Sequence, residues 1–354
     1  MGGRFRETVP TPMLYQFEFR PIARKFARSL VTSHGVWEIR EAIILRLCDA
    51  TGKVGWGEIA PISWFGSETL EQALDFCRQL PQKITAETIY AISDNLPACQ
   101  FGLESALEGL GSGEWGVGGD GGDEEGYLTL SSSNAQYSAL LPAGEAALSQ
   151  WQSLWQQGYR TFKWKIGVDD ITQELRVFDL LTQALPNSVK LRLDANGGLS
   201  YDAAKLWLQT CDNLRKNQEL ACEIEFIEQP LPVAEFSRMS ELSESYATAI
   251  ALDESVATLK QLAACYQQGW RGIFVIKPAI AGYPSRLRQF CQEHEIDAVF
   301  SSVFETAIAR QTALQLATEL SRRNRAVGFG INHFFTQEED ETWLQRLFPS
   351  PASP

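Results

Sequence analysis

Beyond residue 126 the chain repeats one short apolar run eight times, and this repeat limits the possible folds more than any other feature. Each run is rich in β-branched or aliphatic residues, ends in a polar residue or glycine, and precedes a stretch of helical character. Runs two to eight recur every roughly 24 to 34 residues, the length of one β/α unit. The runs are YSALLP, TFKWKIG, VKLRLDANG, CEIEFIEQP, AIALDES, GIFVIKP, DAVFSS and AVGFG.

A parallel β/α barrel closes with eight β/α units, and the chain has eight such units in about 200 residues. We therefore predict a barrel over residues 127–334. An open doubly wound sheet is the alternative. The chain has 354 residues, more than one such core needs. Extended and then helical patterns over residues 1–110 predict a smaller α+β domain, which we expect residues 335–354 to rejoin. Glycine and acidic residues dominate 111–126, which predicts a linker.

Charge and cysteine content narrow the possible function classes. The chain carries 31 Lys and Arg against 44 Asp and Glu, a formal net charge of −13. This negative field repels phosphate backbones and anionic lipids, so nucleic acid and membrane surfaces are poor partners. Seven scattered cysteines contain no C-x-x-C pair, and we find neither a signal peptide nor a membrane span, so we expect a cytoplasmic protein. The sequence leaves the oligomeric state open.

Three lysines end strands of the predicted barrel, where the loops at the carboxyl ends of the strands form the active site. Lys163 and Lys165 occupy alternate positions in FKWK and therefore point to the same side, while Lys277 ends IFVIK across the circle of strands. Neighbouring ammonium groups and partial burial lower a lysine pKa, which suits a general base. Solvated lysines on an edge strand, or a structural salt bridge from Lys277 to Asp253, are the alternatives.

Three acidic residues, Asp194, Glu228 and Asp253, end three successive runs. On neighbouring strands their carboxylates would converge, and a hard divalent cation would relieve their repulsion. Oxygen ligands select Mg²⁺ or Mn²⁺ rather than zinc. Taken singly, each acid is better explained as a helix N-cap or a surface residue. Other polar or glycine residues also lie at strand ends: Asn196, Glu254, Ser301, Ser302, Gly328 and Gly330.

The order K-x-K, D-x-N, E-Q-P, D-E-S and a strand-terminal lysine resembles the muconate-lactonizing branch of the enolase superfamily. The likeness covers nearly the whole chain and includes GWGEIAP in the first domain. Within the branch, TSHGVWEIREAIILRL and SSVFET are most similar to the o-succinylbenzoate synthase family of menaquinone and phylloquinone biosynthesis. The resemblance implies a (β/α)7β barrel and an α+β cap that closes through residues 34–40 and 62–67. It also implies that Asp194, Glu228 and Asp253 bind a Mg²⁺ to which a small-molecule carboxylate substrate coordinates.

The resemblance further implies a Mg-dependent hydro-lyase that dehydrates 2-succinyl-6-hydroxy-2,4-cyclohexadiene-1-carboxylate to 2-succinylbenzoate. Lys165 would remove the ring proton and protonate the leaving hydroxyl, with Lys277 as a cation on the other face and Lys163 in support. Asn196 and Glu254 would orient their neighbours. An N-acylamino acid racemase or dipeptide epimerase of the same branch, which also needs lysines on both faces, is the first alternative, and an inactive scaffold protein is the second. Substrate contacts would come from Ser301, Ser302, Gly330 and Arg40.

Overall fold

The computed structural model describes residues 13–32, 35–112, 137–217, 222–330, 334–335 and 342–349. The first part of the chain folds into a four-stranded antiparallel sheet in the order β3-β2-β1-β4, with three helices. Its longest strands, β1 and β2, pair as a hairpin whose register shifts between Lys25 and Leu30. The elements are β1 (Tyr15–Thr32), β2 (Gly35–Cys48), β3 (Val54–Ile59), β4 (Lys83–Ile84), α1 (Leu70–Gln79), α2 (Ala86–Tyr90) and α3 (Pro97–Ser112).

The apolar segment AIILRL forms the centre of β2 and is buried on both faces. Ile43 and Leu45 enter the main core, while Ile44 packs on the other face against Ile308 and Phe348. Helix α3 approaches β3 so closely that a Cβ on Gly57 would lie 2.0 Å from the carbonyl oxygen of Gly102. Glycine at this position therefore permits the contact between α3 and the sheet.

The second part of the chain folds into seven parallel strands arranged in sequence order from β5 to β11, with helices between them. The strands are β5 (Ser138–Leu141), β6 (Thr161–Lys165), β7 (Lys190–Asp194), β8 (Glu223–Glu228), β9 (Ile250–Leu252), β10 (Ile273–Ile276) and β11 (Asp297–Phe300). The helices are α4 (Ala147–Gln156), α5 (Ile171–Ala184), α6 (Tyr201–Lys216), α7 (Phe236–Ser245), α8 (Leu259–Gln267), α9 (Pro278–Ala281), α10 (Pro284–Glu293) and α11 (Ala307–Leu320). A last helix, α12 (Trp343–Leu347), follows near the end of the chain.

The eighth predicted run closes the sheet with two residues instead of a full strand. Val327 forms a parallel bridge to Tyr137 and accepts a hydrogen bond of 2.9 Å from the backbone N–H of Ser138. Gly328 bridges Ser301 on the other side. The first and last strands are thereby joined, which confirms the predicted barrel fold and excludes the open doubly wound sheet.

An apolar cluster fills the barrel interior below the carboxyl ends of the strands. Side chains alternate along a strand, so residues two positions before Glu228, Asp253, Lys277 and Ser301 face the same side as these residues. Those residues are all apolar, and with Ile273 they form one buried cluster. We call this cluster the barrel floor; it consists of Phe226, Ala251, Ile273, Val275 and Val299.

An ion network lies toward the amino end of the barrel. Arg192 donates to Glu225 at 2.7 Å, and Arg325 binds both Glu225 at 2.6 Å and Asp297, the first residue of β11, at 2.7 Å. The arginines together lower the pKa of Glu225 although burial alone would raise it. Buried charges in this part of the barrel are therefore paired.

Polar contacts of β2 and β3 join the antiparallel sheet to the barrel. The carboxylate of Glu58 on β3 accepts hydrogen bonds from the backbone N–H and the hydroxyl of Thr306, at the start of α11. Arg40 on β2 donates to the carbonyl oxygen of Val303 at 2.9 Å. The predicted linker lies outside the described residues except for positions 111 and 112, which end α3. None of the described helices has the length and apolar character needed to cross a membrane.

Candidate active site

A cavity of about 270 Å³ lies at the carboxyl ends of the barrel strands. Its base consists of the polar strand ends, and its outer wall comes from the antiparallel sheet and the loop after β3. The structure thus brings together most of the residues that the sequence singled out. The predicted residues that line it are Lys163, Lys165, Asp194, Asn196, Asp253, Glu254, Lys277, Ser301, Ser302, Gly328 and Gly330, and the outer wall comes from Leu30, Trp37, Ile62, Trp64 and Phe65.

Asp194 and Glu228 lie side by side because β7 and β8 pair in register at these residues. Lys163 places its ammonium group between them, with Nζ 2.8 Å from Asp194 Oδ2 and 2.7 Å from Glu228 Oε1. Burial lowers the pKa of Lys163, but Asp194, Glu228 and Asp253 outweigh it, and the net pKa is raised. The expectation that neighbouring ammonium groups lower this lysine's pKa is therefore wrong, because two carboxylates contact its ammonium group directly.

Asp253 follows β9 and is held by a residue that the sequence analysis did not single out. The side-chain oxygen of Gln229 accepts hydrogen bonds from the backbone N–H groups of Asp253, at 3.0 Å, and Ser255, at 3.2 Å. Its amide nitrogen donates to the Ser255 hydroxyl at 2.8 Å. Gln229 is fully buried with a φ of 38°, an uncommon backbone conformation for a non-glycine residue. Its place as the middle residue of the E-Q-P motif was the available signal.

Burial disfavours the ionised form of the carboxylates at this site. Burial raises the pKa of Glu228 to about 8, with Asp194 and Asp253 adding to the effect and Lys163 opposing it. Burial also raises the pKa of Asp253 and Glu254. For Asp194 burial is outweighed by Lys163, Lys165 and Lys277, and the pKa is lowered. A further cation would stabilise the ionised forms.

The donor set fits a hard divalent cation. Three buried carboxylates come from neighbouring positions of the barrel mouth, and the Oε2 atom of Glu254 is buried without a hydrogen-bond partner among the described residues. Within the described part of the chain, no three acidic, histidine or cysteine side chains surround a single point as metal ligands. Instead the ammonium groups of Lys163 and Lys277 contact the carboxylates of Glu228 and Asp253.

Lys165 ends β6 and begins a short chain of polar contacts. Its Nζ donates to Asn196 Oδ1 at 2.5 Å, and Asn196 Nδ2 donates to Glu254 Oε1 at 3.0 Å. Asn196 has a φ of 43°, and its backbone N–H donates to the carboxylate of Asp194 at 3.1 Å. The D-x-N motif therefore orients a lysine that lies beside the acids.

Lys277 lies on the other side of the mouth, since three strands separate β10 from β6. Its ammonium group contacts the carboxylate of Asp253, so the salt bridge considered from the sequence is present. The same ammonium group lies 3.9 Å from the centre of the Phe65 ring. Phe65 lies in the segment 62–67 through which the cap was expected to close, but it was not singled out, because nothing in its local sequence indicates a contact with a distant lysine.

The residues expected to contact the substrate lie in different positions. Ser301, Ser302 and Gly330 line the cavity, although the Ser302 hydroxyl donates to Glu305 at 2.7 Å. Arg40 does not line the cavity. Its guanidinium group is buried and donates to backbone carbonyl oxygens of Glu41, Ala60, Pro61 and Val303.

Comparison with known families and proteins extends over both parts of the chain. The family model "MenC, N-terminal domain" matches residues 14–110, and the model "Enolase C-terminal domain-like" matches residues 146–352. The o-succinylbenzoate synthase of Thermosynechococcus vestitus is 38% identical over 90% of this chain and 93% of its own length. That of Yersinia enterocolitica is 30% identical over 82% of this chain and 83% of its own length.

Solved structures give the same result. The o-succinylbenzoate synthase of Thermosynechococcus elongatus, crystallised with magnesium in its active site, matches 94% of this chain and 98% of its own with a TM-score of 0.81 at 37% identity. The L-Ala-D/L-Glu epimerase of Bacillus subtilis matches 92% of this chain and 91% of its own with a TM-score of 0.71, but at 20% identity it shows the fold alone. The chain is therefore a member of the enolase superfamily and, within it, of the o-succinylbenzoate synthase (MenC) family.

Proposed function

We propose that this protein is a Mg-dependent hydro-lyase that converts 2-succinyl-6-hydroxy-2,4-cyclohexadiene-1-carboxylate to 2-succinylbenzoate. The observation that carries the proposal is that one cavity holds Lys165 and Lys277 on opposite sides of a cluster of buried acids. The named activity of relatives at 38% and 30% identity supports this substrate over an N-acylamino acid or a dipeptide. The geometry of the lysines alone would suit either reaction.

The metal would be held by Asp194, Glu228 and Asp253, because these carboxylates are buried at the ends of neighbouring strands and oxygen ligands suit Mg²⁺. Asp194 and Asp253 line the cavity, and Glu228 lies beside Asp194 in the sheet. When bound, Mg²⁺ supplies positive charge against the substrate carboxylate and against the negative charge that develops when the adjacent proton is removed. Gln229 fixes the backbone of Asp253, and Lys163 lies against Asp194 and Glu228.

Lys165 would carry the proton. In its neutral form Nζ takes the proton from the ring carbon that bears the carboxylate, and it then gives this proton to the departing hydroxyl group, which leaves as water. The ring gains a double bond and becomes aromatic. Asn196, which accepts a hydrogen bond from Nζ, would keep Lys165 on one face of the substrate. Lys277 would remain a cation on the opposite face and stabilise the developing negative charge.

We also propose a domain organisation and a location. Residues 1–110 and 335–354 would form the cap, since Phe348 packs against Ile44 on β2 and lies 5.1 Å, ring to ring, from Trp56 on β3. Residues 127–334 would form the catalytic domain, and 111–126 would link the two. A cytoplasmic location fits the seven cysteines, which are all free and of which six are buried.

The experiment that tests the proton-transfer role compares Lys165→Arg with Lys277→Arg. Arginine keeps the positive charge but cannot act as a base at neutral pH, so Lys165→Arg should abolish dehydration while Lys277→Arg retains more of it. The assay follows product absorbance with the cyclohexadiene substrate, and N-succinyl amino acids are tested in parallel. Comparable dehydration by the two variants would rule out Lys165 as the base, and faster turnover of N-succinyl amino acids by the unmodified protein would favour the racemase.

A further inference from the structure

The aromatic ring of Phe65 covers the ammonium group of Lys277. Phe65 belongs to the connection after β3, far from Lys277 in sequence, yet the distance from Nζ to the ring centre is 3.9 Å. The same ammonium group also contacts the Asp253 carboxylate, on the barrel side. Lys277 is largely buried, with 8% of its surface exposed. The ammonium group is therefore held between a carboxylate and the negative face of a ring.

We propose that Phe65 is a positioning residue that fixes the Lys277 ammonium group in the barrel mouth by a cation–π contact. The proposal rests on the proposed function, because it assigns Lys277 the role of a fixed cation. Without the ring, the flexible four-carbon side chain would be held by the Asp253 contact alone and could turn about it. Its charge would then no longer be fixed at the place where negative charge develops on the substrate.

The Phe65 ring is positioned by a short turn that a side-chain hydrogen bond closes. Phe65 ends the 3₁₀ turn Ser63–Phe65, which Gly66 terminates with a φ of 118°. The Ser67 hydroxyl accepts a hydrogen bond from the backbone N–H of Ile62 at 2.7 Å and thereby closes the loop.

This turn is docked on the barrel. A Cβ at Gly66 would approach the Ala257 side chain, between β9 and α8, to 3.3 Å. The turn therefore lies against the connection that also carries Asp253. Because Phe65 contacts Lys277, the position of the Lys277 ammonium group depends on how this loop packs over the barrel mouth.

The proposal predicts an effect on kcat with little effect on KM. Phe65→Leu keeps an apolar side chain but removes the ring face, and we expect about a tenfold lower kcat for dehydration with KM within about twofold. Phe65→Tyr keeps the ring face and should retain kcat within about threefold. If Phe65→Leu raises KM and leaves kcat unchanged, the ring contacts the substrate directly and the proposal is wrong.

A graded change in ring charge separates the electrostatic effect from packing. Replacing Phe65 by mono-, di- and trifluorinated phenylalanine weakens the negative ring face in steps while nearly preserving its shape. We expect kcat to fall stepwise along this series. The same series at Phe76, on α1 in the same part of the chain, is the matched control and should leave kcat unchanged. A flat response at Phe65 would refute the cation–π contact.

A measurement without turnover keeps the proposal separate from the assigned activity. In protein labelled with ¹³C-lysine, the ε-methylene protons of Lys277 should be shifted upfield by the ring current of Phe65, with the resonance assigned from Lys277→Arg. Phe65→Leu should remove this shift, and its persistence would overturn the proposal. If the shift is present but the unmodified protein does not dehydrate the cyclohexadiene, the proposed function fails while the contact stands.

Discussion

Replacing Arg40 by methionine tests whether this residue supports the loop after β11 or contacts the substrate. The buried guanidinium group donates to the carbonyl oxygens of Ala60 and Pro61 at the end of β3, and of Val303 in the loop, at 2.5, 2.9 and 2.9 Å. Burial lowers the pKa of Arg40 to about 10, so the group stays charged at neutral pH. Methionine keeps an unbranched side chain about as long as the aliphatic part of arginine but removes all of the donors.

The loss can be worked out from these contacts. A buried carbonyl without a donor costs about 1 to 3 kcal/mol, so three carbonyls lose about 3 kcal/mol at the low end of that range. For a chain of this size each kcal/mol shifts Tm by about 2 °C, so we expect Arg40→Met to lower Tm by about 6 °C. Arg78→Met is the control, because Arg78 forms an exposed pair with Asp75 whose removal should cost less than about 0.5 kcal/mol.

Differential scanning calorimetry gives Tm, and steady-state kinetics on the same samples give KM. If Arg40→Met melts together with the unmodified protein while KM for the substrate rises, the reasoning is refuted and Arg40 is a substrate ligand after all. A lower Tm together with disturbed kinetics would instead fit a loop that has lost its support, since Ser301 and Ser302 precede Val303 and line the cavity.

Three further predictions concern packing, pH and metal. Gly57→Ala should lower Tm because its Cβ would lie 2.0 Å from the Gly102 oxygen, whereas Gly111→Ala, with nothing within 4 Å, should not; equal Tm values would contradict the close packing of α3. Burial raises the pKa of Asp212, but hydrogen bonds from Thr248 and from backbone N–H groups lower it overall. The ionised Asp212 carboxylate therefore stabilises the fold at neutral pH, and this stabilisation is lost as the pH falls through the folded-state pKa. Asp212→Asn should make Tm less dependent on pH at acidic pH. An unchanged dependence on pH in the acid range would contradict this. After chelator treatment, Mg²⁺ at about 100 times Kd should stabilise the protein by about 2.7 kcal/mol, and an unchanged Tm would favour an inactive scaffold.

The barrel fold and the polar residues at the strand ends of its mouth could be predicted from the sequence. Asp194, Glu228 and Lys277 were identifiable because each ends an apolar run, and parallel strands bring their carboxyl ends to one side. The structure brings these side chains to one mouth as expected. Their roles in metal binding and proton transfer stay predictions.

Features that depend on distances between strands could not be read from the sequence. Whether the pKa of Lys163 falls or rises is decided by carboxylates on β7 and β8 that contact its Nζ directly. The direction of Arg40 depends on how β2 and β3 dock on the loop after β11. The contact between Phe65 and Lys277 joins two parts of the chain that share no motif.

The sequence also did not predict that only Val327 and Gly328 of the eighth run pair with the sheet, because AVGFG has the composition of a complete strand. Composition and length are similar for a full strand and for a two-residue closure. Only the bridges to Tyr137 and Ser301 show how much of the run takes part in the sheet.

The barrel floor limits the route by which substrate and products enter and leave the site. Phe226, Val275 and Val299 are buried and packed together beneath the cavity, so in the described structure they leave no rear exit for a molecule of substrate size. Released water and the newly aromatic product must depart by the route through which the substrate entered. Each turnover thus empties the mouth before it can be refilled, and every molecule that enters or leaves passes the residues of the outer wall.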